Sequence, residues 1–207
     1  MKLIIGLGNP GERYEKTRHN AGFLVVEQFL KDFDPVKETA WIVEDKLKSD
    51  IAKIEWKPKV GPAIPVILAK PKTYMNNSGM AVSLIASFYK ISPSDIWVIH
   101  DEFDFPLGSM KIRFGGASAG HKGVDSVITA LGTDKFWRFR IGIGNAKKIG
   151  GERVKISTSR HIDDYVLDGF APGEWGTMRK VIKRASKAIQ ASLEESLEKA
   201  MNQFNTK

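Results

Sequence analysis

A histidine and an aspartate, each placed just after a short apolar run, form the chain's clearest chemical pair. His19 lies in Arg18-His19-Asn20, after Leu3-Ile4-Ile5 and the turn-rich Gly6-Leu7-Gly8-Asn9-Pro10-Gly11. Asp101 lies in His100-Asp101-Glu102, directly after Ile96-Trp97-Val98-Ile99. If both apolar runs are parallel strands of one sheet, His19 and Asp101 stand beyond the same edge, where open α/β sheets bind ligands. An imidazole oriented by a carboxylate is a general base. Asparagines gather on the same loops: Asn9 and Asn20 around the first, Asn76 and Asn77 on Lys72-Thr73-Tyr74-Met75-Asn76-Asn77. Their amides can donate to a carbonyl oxygen, although each also suits a turn, and Asn77 suits a helix cap. Strand alternation turns His100 to the opposite face, as a structural residue, and His121 is placed to cap or open a helix.

Two other motifs compete. Gly6-x-Gly8-x-x-Gly11 matches the dinucleotide fingerprint, which requires the helix to begin at once so that its amides hold a pyrophosphate. Here Pro10-Gly11 makes a turn, and the helical pattern begins only near Asn20. Gly116-x-Ser118-x-Gly120 matches a serine-hydrolase nucleophile elbow, with His161 and Asp163 or Asp164 as partners later in the chain. That pattern fixes three positions, and glycine-rich loops produce it readily. No His, Asp and Glu spacing points to a metal, and none is expected.

The elements that must position these groups read as follows. Residues 1–8 form a buried strand and Ala21–Leu30 a helix. Residues 41–43 and 51–56 alternate like an antiparallel ribbon at a sheet edge. The run 63–69 is a strand, with Pro65 near its start or on an edge. A helix from Asn77 to Tyr89 precedes the Ile96–Ile99 strand. Met110–Phe114, a glycine loop, the helix Lys122–Leu131 and the strand Phe136–Ile143 follow. Residues 145–172 show no period and are expected to form a flexible flap. Glu174–Phe204 carries one i, i+3, i+4 apolar stripe, so 174–204 is a helical region packed on the core. Alternating strands and helices predict a single-domain α/β fold, a mixed but mostly parallel sheet flanked by helices, with 1–207 as the domain.

Composition restricts the function. There is no cysteine among the 207 residues, which excludes disulfides, thiolate metal sites and a cysteine nucleophile. No apolar run approaches the ~20 residues of a membrane span. The start of the chain is too short in apolar residues for a signal peptide, so a soluble cytoplasmic protein is expected. The net charge of +8 suggests an anionic partner, nucleic acid first. Lys111, Arg113, Lys122, Arg138, Arg140, Lys147 and Lys148 concentrate in the second half.

Taken in order, the chain resembles the bacterial-type peptidyl-tRNA hydrolase family. The resemblance is carried by Ile4-Ile5-Gly6-Leu7-Gly8-Asn9-Pro10-Gly11, by Tyr14 with Thr17-Arg18-His19-Asn20-Ala21-Gly22-Phe23, and by Lys70-Pro71-Lys72-Thr73-Tyr74-Met75-Asn76 with Ser78-Gly79. His100-Asp101-Glu102 with Asp104, and Arg138 to Gly144, complete it, and Tyr165-Val166-Leu167 fits more loosely. It implies hydrolysis of the ester between peptide and tRNA, with no cofactor. It implies His19 as base, Asp101 orienting it, and Asn9, Tyr14, Met75 and Asn76 at the substrate. Lys111, Arg113 and Arg140 are the expected tRNA contacts, and a monomer is expected. Lys122 stands where the family usually has asparagine, and is kept as a substrate-facing cation able to reach a phosphate. A catalytically silent RNA-binding relative on the same fold is the alternative.

Overall fold

The computed structural model describes residues 1–33, 39–144, 148–149, 152–153 and 159–205, with side chains undescribed at 148–149, 152–153 and 159–161. Seven strands form one sheet: β1 Lys2–Gly6, β2 Ile42–Glu44, β3 Ser49–Trp56, β4 Ile64–Pro71, β5 Ile96–Pro106, β6 Met110–Phe114 and β7 Trp137–Gly144. Their order is β2-β3-β4-β1-β5-β7-β6. The central four run parallel, β3 and β6 run against them, and β2 pairs antiparallel with β3 at the edge. The ribbon expected at 41–56 is therefore present as β2 and β3. Pro65 pairs with Glu55 but precedes the β4–β1 register, which opens at Val66 opposite Lys2, so its missing N–H removes no bond to β1.

Helices cover both faces. One face holds α1, Ala21–Phe33, and α5, Pro172–Glu194, over Val25, Phe29, Trp97, Phe139, Met178 and Ile189. The other holds α2, Ser78–Tyr89, and α3, Lys122–Leu131, over Leu3, Ile5, Val82, Val98 and Val127. The central strands are apolar on both faces because both are covered.

The expected C-terminal helix is two helices. α5 ends at Glu194 and α6 runs Leu197–Phe204, with the Ser196 hydroxyl accepting from the Lys199 N–H at 3.2 Å as an N-cap. Past α6, the Asn205 amide accepts from the Ile112 N–H at 2.6 Å and donates to its carbonyl at 2.8 Å. It thereby occupies the open edge of β6 as a strand would. In the expected flap, α4 spans Ser159–Leu167. Val166 and Phe170 are buried in the α5-side core, so the end of that segment is anchored. Residues 145–147, 150–151 and 154–158 of the expected flap lie outside the described residues.

Helix α1 begins very close to the end of β1. A Cβ on Gly6 would collide with the Gly22 backbone, and one on Gly22 with the Ile99 and Leu7 backbones. Those glycines permit helix–strand contact that holds the 7–20 loop at the sheet's carboxyl edge. A second such contact joins α2 to α3, where a Cβ on Gly79 would overlap the Ser126 carbonyl. Gly79→Ala is expected to lower unfolding free energy by about 1–3 kcal/mol, read as a reduced urea midpoint at unchanged m-value.

Candidate active site

Asp101 is the hub of the site. It lies inside β5 and not on a loop beyond it, because the strand runs on past Ile99 to Pro106; β1 stops opposite Ile99, which leaves Asp101 open on that side, with 2 % of its surface exposed. The His19 Nδ1 lies 3.0 Å from both its oxygens, across 82 positions of sequence. The His121 Nε2 lies 2.9 Å from Oδ1. His121 also caps α3: its Nδ1 accepts the N–H groups of Gly123 at 3.1 Å and Val124 at 3.2 Å. A neutral imidazole has one N–H, so that proton sits on Nε2 and points at Asp101.

Two donors therefore converge on one carboxylate. Burial pushes the Asp101 pKa up, but His19 and His121 outweigh it and hold the carboxyl well below the usual range. For His19, burial pulls the pKa down. The charge and hydrogen bond of Asp101, with a lesser contribution from Asp163, overcome this and raise it, and Lys122 opposes them. With Nδ1–H donated to Asp101, the lone pair of His19 is on Nε2. The ring borders a cavity of about 290 Å³ walled by Glu102, Phe103, Asp104, Gly120, Lys122 and Asp163, among others.

His19, Asp101 and His121 offer ligand atoms within 4.8 Å of one another, a spacing that a cation could use. His121 argues against that use. Its Nδ1 lone pair is taken by two backbone donors, so Nε2 holds the proton and has no pair to give a metal. The donor set is a hydrogen-bond relay. His100 is fully buried, as a structural residue should be, with its Nδ1 donating to the Asp101 carbonyl at 2.7 Å. Burial holds it neutral.

The loop that carries His19 is pinned on both sides of it. The Arg18 N–H donates to the Asp168 carbonyl at 3.0 Å, and its guanidinium pairs with Glu174 at 2.8 Å while lying 4.2 Å above the Tyr165 ring. The Asn20 amide bridges the Asn9 main chain, accepting from its N–H at 2.8 Å and donating to its carbonyl at 2.9 Å. The Asn9 Oδ1 in turn accepts from the Met75 N–H at 2.8 Å. The Tyr14 and Tyr74 rings meet edge to face at 6.3 Å. The ends of β1 and β4 and the part of β5 that runs past β1, adjacent in the sheet, thus bring Asn9, Tyr14, Met75, His19 and Asp101 to one edge. Met75 is buried, while Asn76 is exposed beside it. Asn77 makes no side-chain cap bond, contrary to expectation: the turn at Met75–Asn77 runs directly into α2.

Among the described residues the glycine loop lacks the partners of a nucleophile elbow. Gly115, Gly116 and Gly120 take φ of 64°, 94° and 80°, which accounts for the glycines. The Ser118 hydroxyl accepts from Gly120 N–H at 3.2 Å, and no described imidazole bonds to it. The His161 side chain lies outside the described residues. Arg138, expected in a polyanion surface, is instead a strut. It is buried and donates to the carbonyls of Gly115, Gly116 and Ala117, because the loop's left-handed turns direct those oxygens inward. Register places Lys111 opposite Arg140 and Arg113 opposite Arg138, so the four share one sheet face. Lys111 and Arg113 are exposed. Arg140 makes two bonds to Glu102 Oε2, at 2.8 and 3.0 Å, and is largely engaged there. Lys147 lies outside the described residues, as does the Lys148 side chain.

The sequence points His121 to a capping role alone, and its bond to Asp101 emerges only in the fold. The signal was the histidine before a helix that opens at the same edge. Phe103 and Ile162, which wall the cavity, carried no signal beyond being apolar.

A parallel-centred α/β sheet with a carboxylate-oriented imidazole over a cavity at its carboxyl edge is an arrangement suited to general-base hydrolysis. The peptidyl-tRNA hydrolase family model matches residues 3–207, and the chain belongs to that family. It is 41% identical to the peptidyl-tRNA hydrolase of Aquifex aeolicus (strain VF5) over 99% of this chain and 96% of the relative. The Moorella thermoacetica protein of the same name is 39% identical over 98% and 97%. A crystal structure of peptidyl-tRNA hydrolase from Acinetobacter baumannii superposes with a TM-score of 0.83 at 31% identity, over 100% of this chain and 95% of that one. A peptidyl-tRNA hydrolase complexed with N-propanol reaches 0.85 at 30% identity, over the same shares.

Proposed function

We propose that this chain hydrolyses the ester joining a peptide to the terminal ribose of tRNA, using a water activated by His19. The observation that carries this is the His19–Asp101 pair, 3.0 Å apart with the His19 Nε2 left to the cavity. Membership of the family supports the substrate class.

Neutral His19 takes a proton from water at Nε2 as the water oxygen attacks the ester carbonyl carbon. Asp101 holds the productive tautomer and stabilises the imidazolium that forms. An amide of Asn9 or Asn76 donates to the developing oxyanion. As the tetrahedral species collapses, the ester C–O bond breaks and the imidazolium returns its proton to the ribose oxygen. The products are a peptide carboxylate and tRNA. The step needs no cofactor from the groups named.

Tyr14, Met75 and Lys122 complete the substrate side. Exposed Lys111 and Arg113 form a phosphate-binding ledge, with Arg140 holding its base against Glu102. The apolar stripe of α5 is spent inside the fold on Met178, Val181, Ala185 and Ile189, which favours a monomer. Among the described residues no helix is long and apolar enough to cross a membrane, and a tRNA substrate supports a cytoplasmic location. The direct test incubates the purified chain with peptidyl-tRNA in ¹⁸O-water. Release of intact tRNA with one labelled oxygen in the peptide carboxylate is expected. Tight tRNA binding with no cleavage would leave the silent RNA-binding reading in its place.

A further inference from the structure

Lys122 is the first residue of α3, next to His121, and it reaches across the cavity mouth. Its Nζ lies 2.7 Å from Oδ2 of Asp163 on α4, 41 positions later. Both side chains line the same cavity as His19, and both are more than half exposed. The pair therefore closes the opening without being locked into the core. Such an exposed ion pair is weak enough to exchange partners.

The surroundings indicate what Lys122 would exchange for. Nearby acidic groups are Asp101, Glu102, Asp104 and Asp163. Asp101 is held by two histidines and Glu102 by Arg140, and of Asp104 and Asp163 it is Asp163 that pairs with Lys122. The Gly123 and Val124 amides in the first turn of α3 are already given to His121, so the Lys122 side chain is the main cationic donor for an anion arriving here. The positive ledge leads to this point. Arg113 lies against Gly116 on the loop that runs directly into α3, and Lys111 and Arg140 are on the same sheet face.

We propose that Lys122 and Asp163 form a clasp over the His19 cavity that a phosphodiester near the RNA 3′ end opens. Lys122 trades the Asp163 carboxylate for a phosphate oxygen, and it thereby reads the RNA side of the substrate and not the peptide. This rests on the function proposed above. Asp163 competes with the substrate for the lysine, so the two residues have opposite effects on substrate binding.

The test compares peptidyl-tRNA with peptidyl-adenosine, an ester of the same kind that has no phosphate. It is run in alkaline buffer, where His19 is neutral in every variant. Lys122→Gln is expected to lower kcat/KM for peptidyl-tRNA about fivefold more than for peptidyl-adenosine. It also flattens the salt dependence of log KM by about 0.7, one single-strand phosphate contact. Asp163→Asn is expected to raise kcat/KM for peptidyl-tRNA at low salt, through KM, and Lys122→Arg to restore the preference. If Lys122→Gln affects both esters equally, or if the two variants shift KM in the same direction, the clasp is only a structural brace and the proposal fails. A wild type that cleaves neither ester would instead overturn the function proposed above.

Discussion

With His19 replaced by glutamine, kcat for peptidyl-tRNA falls about 10²–10⁴-fold while KM changes little. Glutamine can keep a hydrogen bond to Asp101 but has no group that accepts a proton near neutral pH, so the attacking water stays unactivated. The loop should survive the change. Its anchors are Arg18 on Glu174 and the Asp168 carbonyl, and Asn20 on the Asn9 main chain, none of which uses the imidazole. The His19 side chain contributes one partner, Asp101, which keeps its bond to His121. Residual cleavage from oriented asparagine donors sets the floor of the loss. Single-turnover rates at saturating enzyme give the comparison, with the thermal unfolding midpoint as the control for folding. A variant that cleaves at the wild-type rate would remove His19 from the mechanism.

Much of this arrangement could be read from the sequence, for identifiable reasons. β6 and α3 appear at Met110–Phe114 and Lys122–Leu131 as expected, because their periods are clean and glycines bound them. The meeting of His19 with Asp101 follows from two apolar runs becoming neighbouring parallel strands, β1 and β5. Other features depend on long-range partners that spacing does not encode. Arg138 reads as a surface cation on an alternating strand, yet it turns inward and donates to the 115–117 carbonyls. Asn77 looked like a cap, but a preceding 3₁₀ turn already continues into α2. Residues 159–170 belong to the 145–172 stretch that shows no period, since their ordering contacts are the Arg18 guanidinium over Tyr165 and the burial of Val166 and Phe170, all distant in sequence. His121 could be assigned to a helix start by rule. Its bond to Asp101 required the geometry of the whole edge.

Asp101→Asn is expected to cost on the order of 10³–10⁴-fold in kcat, comparable with losing the base itself, through the tautomer of His19. An asparagine at 101 would still accept from His121 Nε2–H, because His121 Nδ1 is committed to Gly123 and Val124. That fixes the amide oxygen toward His121 and turns the NH₂ toward His19. The His19 Nδ1 then accepts in place of donating, its proton moves to Nε2, and the nitrogen facing the cavity can no longer take one from water. The pH profile provides an independent reading. In the wild type Asp101 raises the His19 pKa above its ordinary 6.5, so kcat/KM falls as pH drops through an inflection above that value. The variant loses the raising charge and keeps the burial that lowers the pKa. Asp163 and Lys122 face the ring with opposite signs, and His121 bonds to position 101 from the other side. The residual activity should therefore titrate at lower pH than the wild type. An inflection that stays in place, with the rate still lost, would mean that the titrating group is not His19.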